Sequence, residues 1–154
     1  MQTDTFILWA KYNKTANKKM NDVIKTLTPT EWDKSLGGYF GSIRHLCSHL
    51  YICDYNWLKY FSKLRDFSVL KEKFFAREKY LLSDILFPDM REYLEKRPML
   101  DDKIIDFTSE LIYGDLNTFL NCTNSQGAAC KRIFGGLLMQ CFNHDTHHRG
   151  MISI

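Results

Sequence analysis

Three observations predict an all-α chain, an up-down four-helix bundle with a short hairpin or irregular loop before the last helix. Four stretches carry apolar residues at three- and four-residue steps. The segments between them hold the turn formers Thr28-Pro29-Thr30, Gly37, Gly38, Gly41 and Asn124-Ser125-Gln126-Gly127. The last apolar stripe runs directly into imidazoles, and bundles build metal sites from facing helices in this way. A chain of 154 residues, 45% hydrophobic and 14% aromatic, is globular in composition. Its length suits a single domain, 1–154.

Residues 4–27 form the first expected helix, with Phe6, Trp9, Asn13, Ala16, Met20, Val23 and Leu27 inward and Lys11, Lys14, Lys18 and Lys25 in water. Residues 30–41 read as a connector. Ser42 is a suitable N-cap for a second helix reaching about residue 64, striped by Ile43, Leu46, Leu50, Cys53, Trp57, Tyr60 and Leu64. The charged, aromatic stretch 65–88 has room for one short helix before Pro88. A third helix is expected from about 89 to 113, with Leu94, Leu100, Ile104, Ile105, Phe107, Leu111 and Ile112 inward. Pro98 either kinks it or marks its start. Residues 116–132 lack a helical period. The last helix begins near Ile133, its stripe Phe134, Leu137, Leu138, Cys141, His144 or Asp145, His148 and Ile152. Phe40, Phe61, Phe67, Phe74 and Phe75 do not all fit inner stripes, so some are assigned to a subunit interface.

The net charge of +3 is spread over lysines interleaved with acids, which excludes a concentrated nucleic-acid face. Five cysteines without a C-x-x-C spacing argue against a disulfide framework and for a reducing cytoplasm. Phe6–Ala10 is too short and too close to Asp4 for a signal peptide. The run Ile133–Phe142 is too short to span a bilayer, so no membrane partner is expected.

The chemistry concentrates in Asn143-His144-Asp145-Thr146-His147-His148-Arg149-Gly150. His144 and His148 lie one helical turn apart and can grip one ion from one face. His147 competes for that pairing but is expected to face outward. For a third ligand His49 is favoured over His45, because it borders the buried stripe between Leu46 and Cys53. A metal set of His49, His144 and His148 leaves a position open, as catalytic sites do, and suits a divalent transition metal: zinc, nickel or ferrous iron. Cys53 and Cys141 could add a soft ligand or a reactive thiol, although a small buried hydrophobe is the commoner role. Asp54 and Asp145 could orient a ligand imidazole. Asn13 needs a partner if buried. Arg149 could bind a carboxylate near the metal, with a solvated arginine as the default.

These residues also carry a family likeness. Trp9-Ala10-Lys11-Tyr12-Asn13, Ser42 through Leu50 with Asp54 and Trp57, Leu100-Asp101 through Leu111, and above all the N-H-x-x-H-H-R-G run at Asn143–Gly150 resemble the DinB-like/YfiT-like superfamily of metal-binding four-helix bundles. The resemblance places that superfamily's metal triad on His49, His144 and His148, the set that the spacing suggests. It implies homodimers. It also implies a metal-dependent transferase that joins a low-molecular-weight thiol, such as bacillithiol or mycothiol, to an electrophilic substrate. Members continue well past the Arg-Gly, so the resemblance implies either a short protein or a missing C-terminus beyond Ile154. The alternatives are a non-catalytic metal-binding stress protein or dimeric binding module, and a metal-dependent hydrolase. The last is disfavoured because no glutamate stands in the histidine motif.

Overall fold

The computed structural model describes residues 2–123 and 126–153. Asn124 and Ser125 of the expected turn lie outside the described residues. Four long helices, α1 (Thr3–Ile24), α3 (Ile43–Phe61), α4 (Met90–Ser109) and α6 (Phe134–Ile152), carry the core. Between them lie the one-turn helices α2 (Pro29–Trp32) and α5 (Tyr113–Leu116) and the antiparallel strands β1 (Phe119–Thr123) and β2 (Ala129–Ile133). The fold is therefore mostly helical with a small two-stranded sheet just before the last helix.

Cross-helix pairs fix the helix directions. Asp54–Arg97 and Phe61–Phe107 set α3 parallel to α4. His49–His144 and Phe61–Phe134 set α3 antiparallel to α6. Trp9–Phe142, Asn13–Asp145 and Asn17–Arg149 set α1 parallel to α6. Simple up-down alternation thus breaks between α3 and α4, because the long 62–89 segment carries the chain back to the end where α3 began. In place of the single helix expected there, this segment makes two 3-10 turns, Val69–Lys71 and Lys73–Phe75. Side chains of α3 strap it down. Asn56 donates to the Tyr80 carbonyl and accepts from its N–H, both at 2.9 Å, and Arg44 Nε donates to the Leu86 carbonyl at 2.8 Å.

The caps follow the sequence. Ser42 Oγ accepts from the His45 N–H at 3.1 Å, and Thr28 with Glu31 forms a capping box ahead of buried Trp32. Pro98 lies inside α4 and does not start it; Asp89 caps the true N-terminus. Gly135 lets α6 pass close over α5, since a Cβ there would meet the Leu116 carbonyl oxygen at 3.0 Å.

Three expectations need correction. The buried face of α1 is Phe6, Ala10, Asn13, Asn17, Asn21 and Ile24, whereas Val23 is exposed and Trp9 sits at the edge. The helix turns its asparagines inward because charged groups await them there. Phe61, Phe67 and Phe75 are fully buried in this chain's own core, so they argue for no subunit interface. Cys122 and Cys130 face each other across the hairpin, Cα–Cα 5.0 Å, and are joined by a disulfide. The loop-like composition of 116–132 hid this register. Cys47, Cys53 and Cys141 are free. No helix among the described residues is long and apolar enough to cross a membrane.

The centre of the bundle holds a buried polar network. The Arg97 guanidinium, 1% exposed, pairs with Asp54 at 2.6 Å and with Asp101 from the next turn of α4. Asp101 accepts from Asn17 Nδ2 at 2.8 Å, and Asp145 accepts from Asn13 Nδ2 at 2.8 Å. Replacing Arg97 by Ala leaves these carboxylates without a buried counter-charge. We expect a loss of about 3–5 kcal/mol in denaturant unfolding. Lys14→Ala, which breaks the exposed pair with Asp102, should cost under about 1 kcal/mol. Equal costs for the two variants would contradict the network's role.

Candidate metal centre

α3 and α6 bring imidazoles together halfway along the bundle. The α-helical offset of four residues stacks His144 and His148, with ring centroids 4.3 Å apart. Because α3 runs antiparallel beside α6, His49 meets both, at 5.2 Å from His144 and 4.7 Å from His148. The Nε2 atoms of His49 and His144 are 3.2 Å apart. One turn along α3, Cys53 Sγ lies 3.5 Å from His49 Nε2. The ligand atoms of His49, Cys53 and His144 all fall within 4.8 Å of one another. His148 packs beside this group. Phe40, from the connector after α2, covers the other side and contacts the rings of His45, His49 and His148. His45 thus turns to Phe40, while His147 is exposed and meets the His148 ring edge-on.

The electrostatics favour neutral imidazoles, the form that binds a metal. Burial, followed by the nearby His144 and His45, lowers His49 to about 4. Burial, with His144, His49 and His147, lowers His148 to about 4. Burial also lowers His144. The Nδ1 atoms of His144 and His148 are buried without a hydrogen-bond partner. Imidazole nitrogens beside a thiol suit a borderline metal such as zinc, so the donor set fits a divalent transition ion.

Behind the histidines stands the acid network. Asp145 Oδ1 is 4.0 Å from His144 Nδ1, too long for a hydrogen bond. Asp145 is a wholly buried acid held by Asn13, which provides the partner that Asn13 needs. Asp54 pairs with Arg97 at 2.6 Å and, among the described residues, makes no hydrogen bond to an imidazole; burial, then the adjacent Asp145, pushes it up to about 8. Arg149 donates to the side-chain oxygens of Asn13 and Asn17 and so is neither a carboxylate anchor beside the histidines nor a solvated side chain. Cys141 turns its thiol toward Asp54, 3.9 Å away, and burial raises it well above the usual thiol range.

A cavity of about 710 Å³ opens onto the centre. His49, Cys53 and His144 form part of its wall; Trp57, Tyr60, Tyr80 and Leu137 supply apolar surface, and the hairpin adds Cys122 and Arg132. Sequence periodicity could not reveal the hairpin wall or the Phe40 cover, because both belong to segments without a period.

The lowered histidines give the metal-free protein a defined pH response. Folded His49 and His148 refuse protons that the unfolded chain accepts below its imidazole value of 6.5. Their contribution is fully present above that value and is lost as pH falls toward about 4. His144 shifts in the same sense, while the buried acids Asp54, Asp101 and Asp145 titrate in the opposite sense. From pH 6.5 to 4 the denaturation midpoint of metal-free wild type should therefore change less favourably than that of His49→Phe/His148→Phe. An unchanged slope in the double variant would contradict the assignment.

No curated protein and no solved structure matches the chain significantly. The family model described as the DinB family matches residues 1–154, the whole chain, and on that match the chain belongs to the DinB family.

Proposed function

We propose that the chain is a metal-dependent transferase that uses a low-molecular-weight thiol, with His49, His144 and His148 as metal ligands. The observation that carries this reading is the convergence of three neutral imidazoles from two helices, with His49 and His144 at the wall of a large, mostly apolar cavity. A divalent zinc, nickel or iron ion held there would lower the pKa of a bound thiol and present it as the thiolate nucleophile. The protein's own residues do the remainder. Burial keeps the imidazole lone pairs free of protons. Trp57, Tyr60, Tyr80 and Leu137 exclude water around an electrophilic substrate, and Arg132 offers a cation for an anionic group on either reactant. No carboxylate lines the described cavity wall, which removes the general base that a hydrolase would want and favours a nucleophile brought by the substrate. Homodimer formation belongs to the same proposal and rests on the family alone.

Replacing His49, His144 or His148 by Ala should each weaken zinc binding by on the order of 100-fold or more. Loss of a residue that only hydrogen-bonds a ligand costs about 10–100-fold. His147→Ala should leave affinity near wild type. Metal content after dialysis against a graded chelator checks this, and full occupancy in His49→Ala would sink the triad.

Binding of a small thiol to the zinc-loaded protein should release a proton. It should tighten about tenfold per pH unit up to the free-thiol pKa of about 8.5 and then level off, because the thiolate is the bound form. Titration calorimetry in buffers of different ionisation enthalpy reads both effects. Thiol binding that does not vary with pH would exclude thiolate binding. Conjugation of the thiol to a model electrophile, absent without metal, would complete the case for transfer.

A further inference from the structure

The geometry assigns Cys53 as a sulfur ligand of the same metal centre, an inference that rests on His49 and His144 being ligands. Two distances carry it. In a tetrahedral site with metal–nitrogen bonds of about 2.05 Å and metal–sulfur bonds of about 2.3 Å, neighbouring nitrogens stand about 3.4 Å apart, and nitrogen and sulfur about 3.6 Å apart. His49 Nε2 and His144 Nε2 are 3.2 Å apart, and Cys53 Sγ is 3.5 Å from His49 Nε2. These two separations already match edges of a coordination tetrahedron, and the third, from the Cys53 sulfur to the His144 ligand atom, is within 4.8 Å.

The surroundings select this sulfur over the others. Cys53 is the free cysteine on the cavity wall with His49 and His144. Cys141 points to Asp54 and Cys47 to Tyr93, and Cys122 is tied to Cys130. His148, by contrast, does not line the cavity and stands on the Phe40 side of the cluster. When the ion binds, the metal–sulfur bond forms, the Cys53 thiol proton leaves to solvent, and no electron changes hands. Cys53 then occupies a position that a small thiol needs in the resting protein. Transfer then requires an expansion of coordination, since displacement would return the proton to Cys53 and cancel the proton release expected on thiol binding. The thiolate also biases the centre toward zinc over harder ions.

The test is cobalt substitution without added thiol. Stoichiometrically loaded wild-type protein should show ligand-field bands, which report the bound ion, together with a near-ultraviolet thiolate-to-cobalt charge-transfer band. Cys53→Ser should lose the charge-transfer band and weaken cobalt binding on the order of 10-fold or more. Cys47→Ser and Cys141→Ser should keep the band. Ligand-field bands without charge transfer in the wild type, or a charge-transfer band that survives in Cys53→Ser, would overturn the assignment while leaving the histidine centre intact. No ligand-field bands at all would overturn both. A second measurement needs no variant. Saturating zinc should slow alkylation of Cys53 in the native protein at least tenfold, read by peptide mass spectrometry, and an unchanged rate would count against ligation.

Discussion

The buried guanidinium of Arg97 is the contact on which this bundle depends. It lies at the centre of α4, faces Asp54 on α3 at 2.6 Å, and shares Asp101 with Asn17 of α1. Asp145 of α6 joins through Asn13. Arg97, three buried acids and the asparagines that hold two of them therefore draw on all four long helices. An isolated buried charge is costly and a broken buried pair is costlier, so such a group tolerates little change in helix register. Apolar packing around Phe61, Phe107 and Phe134 would hold helices together in several alignments; the polar network admits few.

That register is what makes the site. Asp54 follows Cys53 on α3 and Asp145 follows His144 on α6. Fixing the two acids at the centre of the bundle turns the preceding side chains toward the cavity side. Cys53 and His144 then share a wall with His49, one turn before Cys53. The acids remain behind the imidazoles at a distance and do not grip them, since Asp145 stands 4.0 Å from His144 Nδ1. The candidate ligands thus owe their placement to a charge network built for the fold, and the cavity beside them stays open.

Much of this was legible in the sequence. Four helices, the Ser42 cap and the i,i+4 pair His144/His148 follow from periodicity and cap chemistry. The nearness of His49 to His144 and His148 accords with its place beside a buried stripe. What stayed hidden shares one cause: rules that count apolar residues misread faces that bury polar ones. Asn17, Asn21, Arg97 and Asp101 are missing from the inward stripes that periodicity draws, yet all four are buried. The same blindness set Arg149 in solvent or beside the metal, when it reaches instead to Asn13 and Asn17. The Cys122–Cys130 bridge depends on strand register, and the cover by Phe40 depends on a glycine-rich connector with positive φ at Gly37, Gly38 and Gly41. Neither can be read from spacing.

The most direct measurement of the central claim is X-ray absorption at the zinc edge of the metal-loaded protein. The account requires imidazole scattering from nitrogens at about 2.0–2.1 Å and one sulfur at about 2.3 Å. A shell made only of oxygen, with no imidazole scattering, would contradict it.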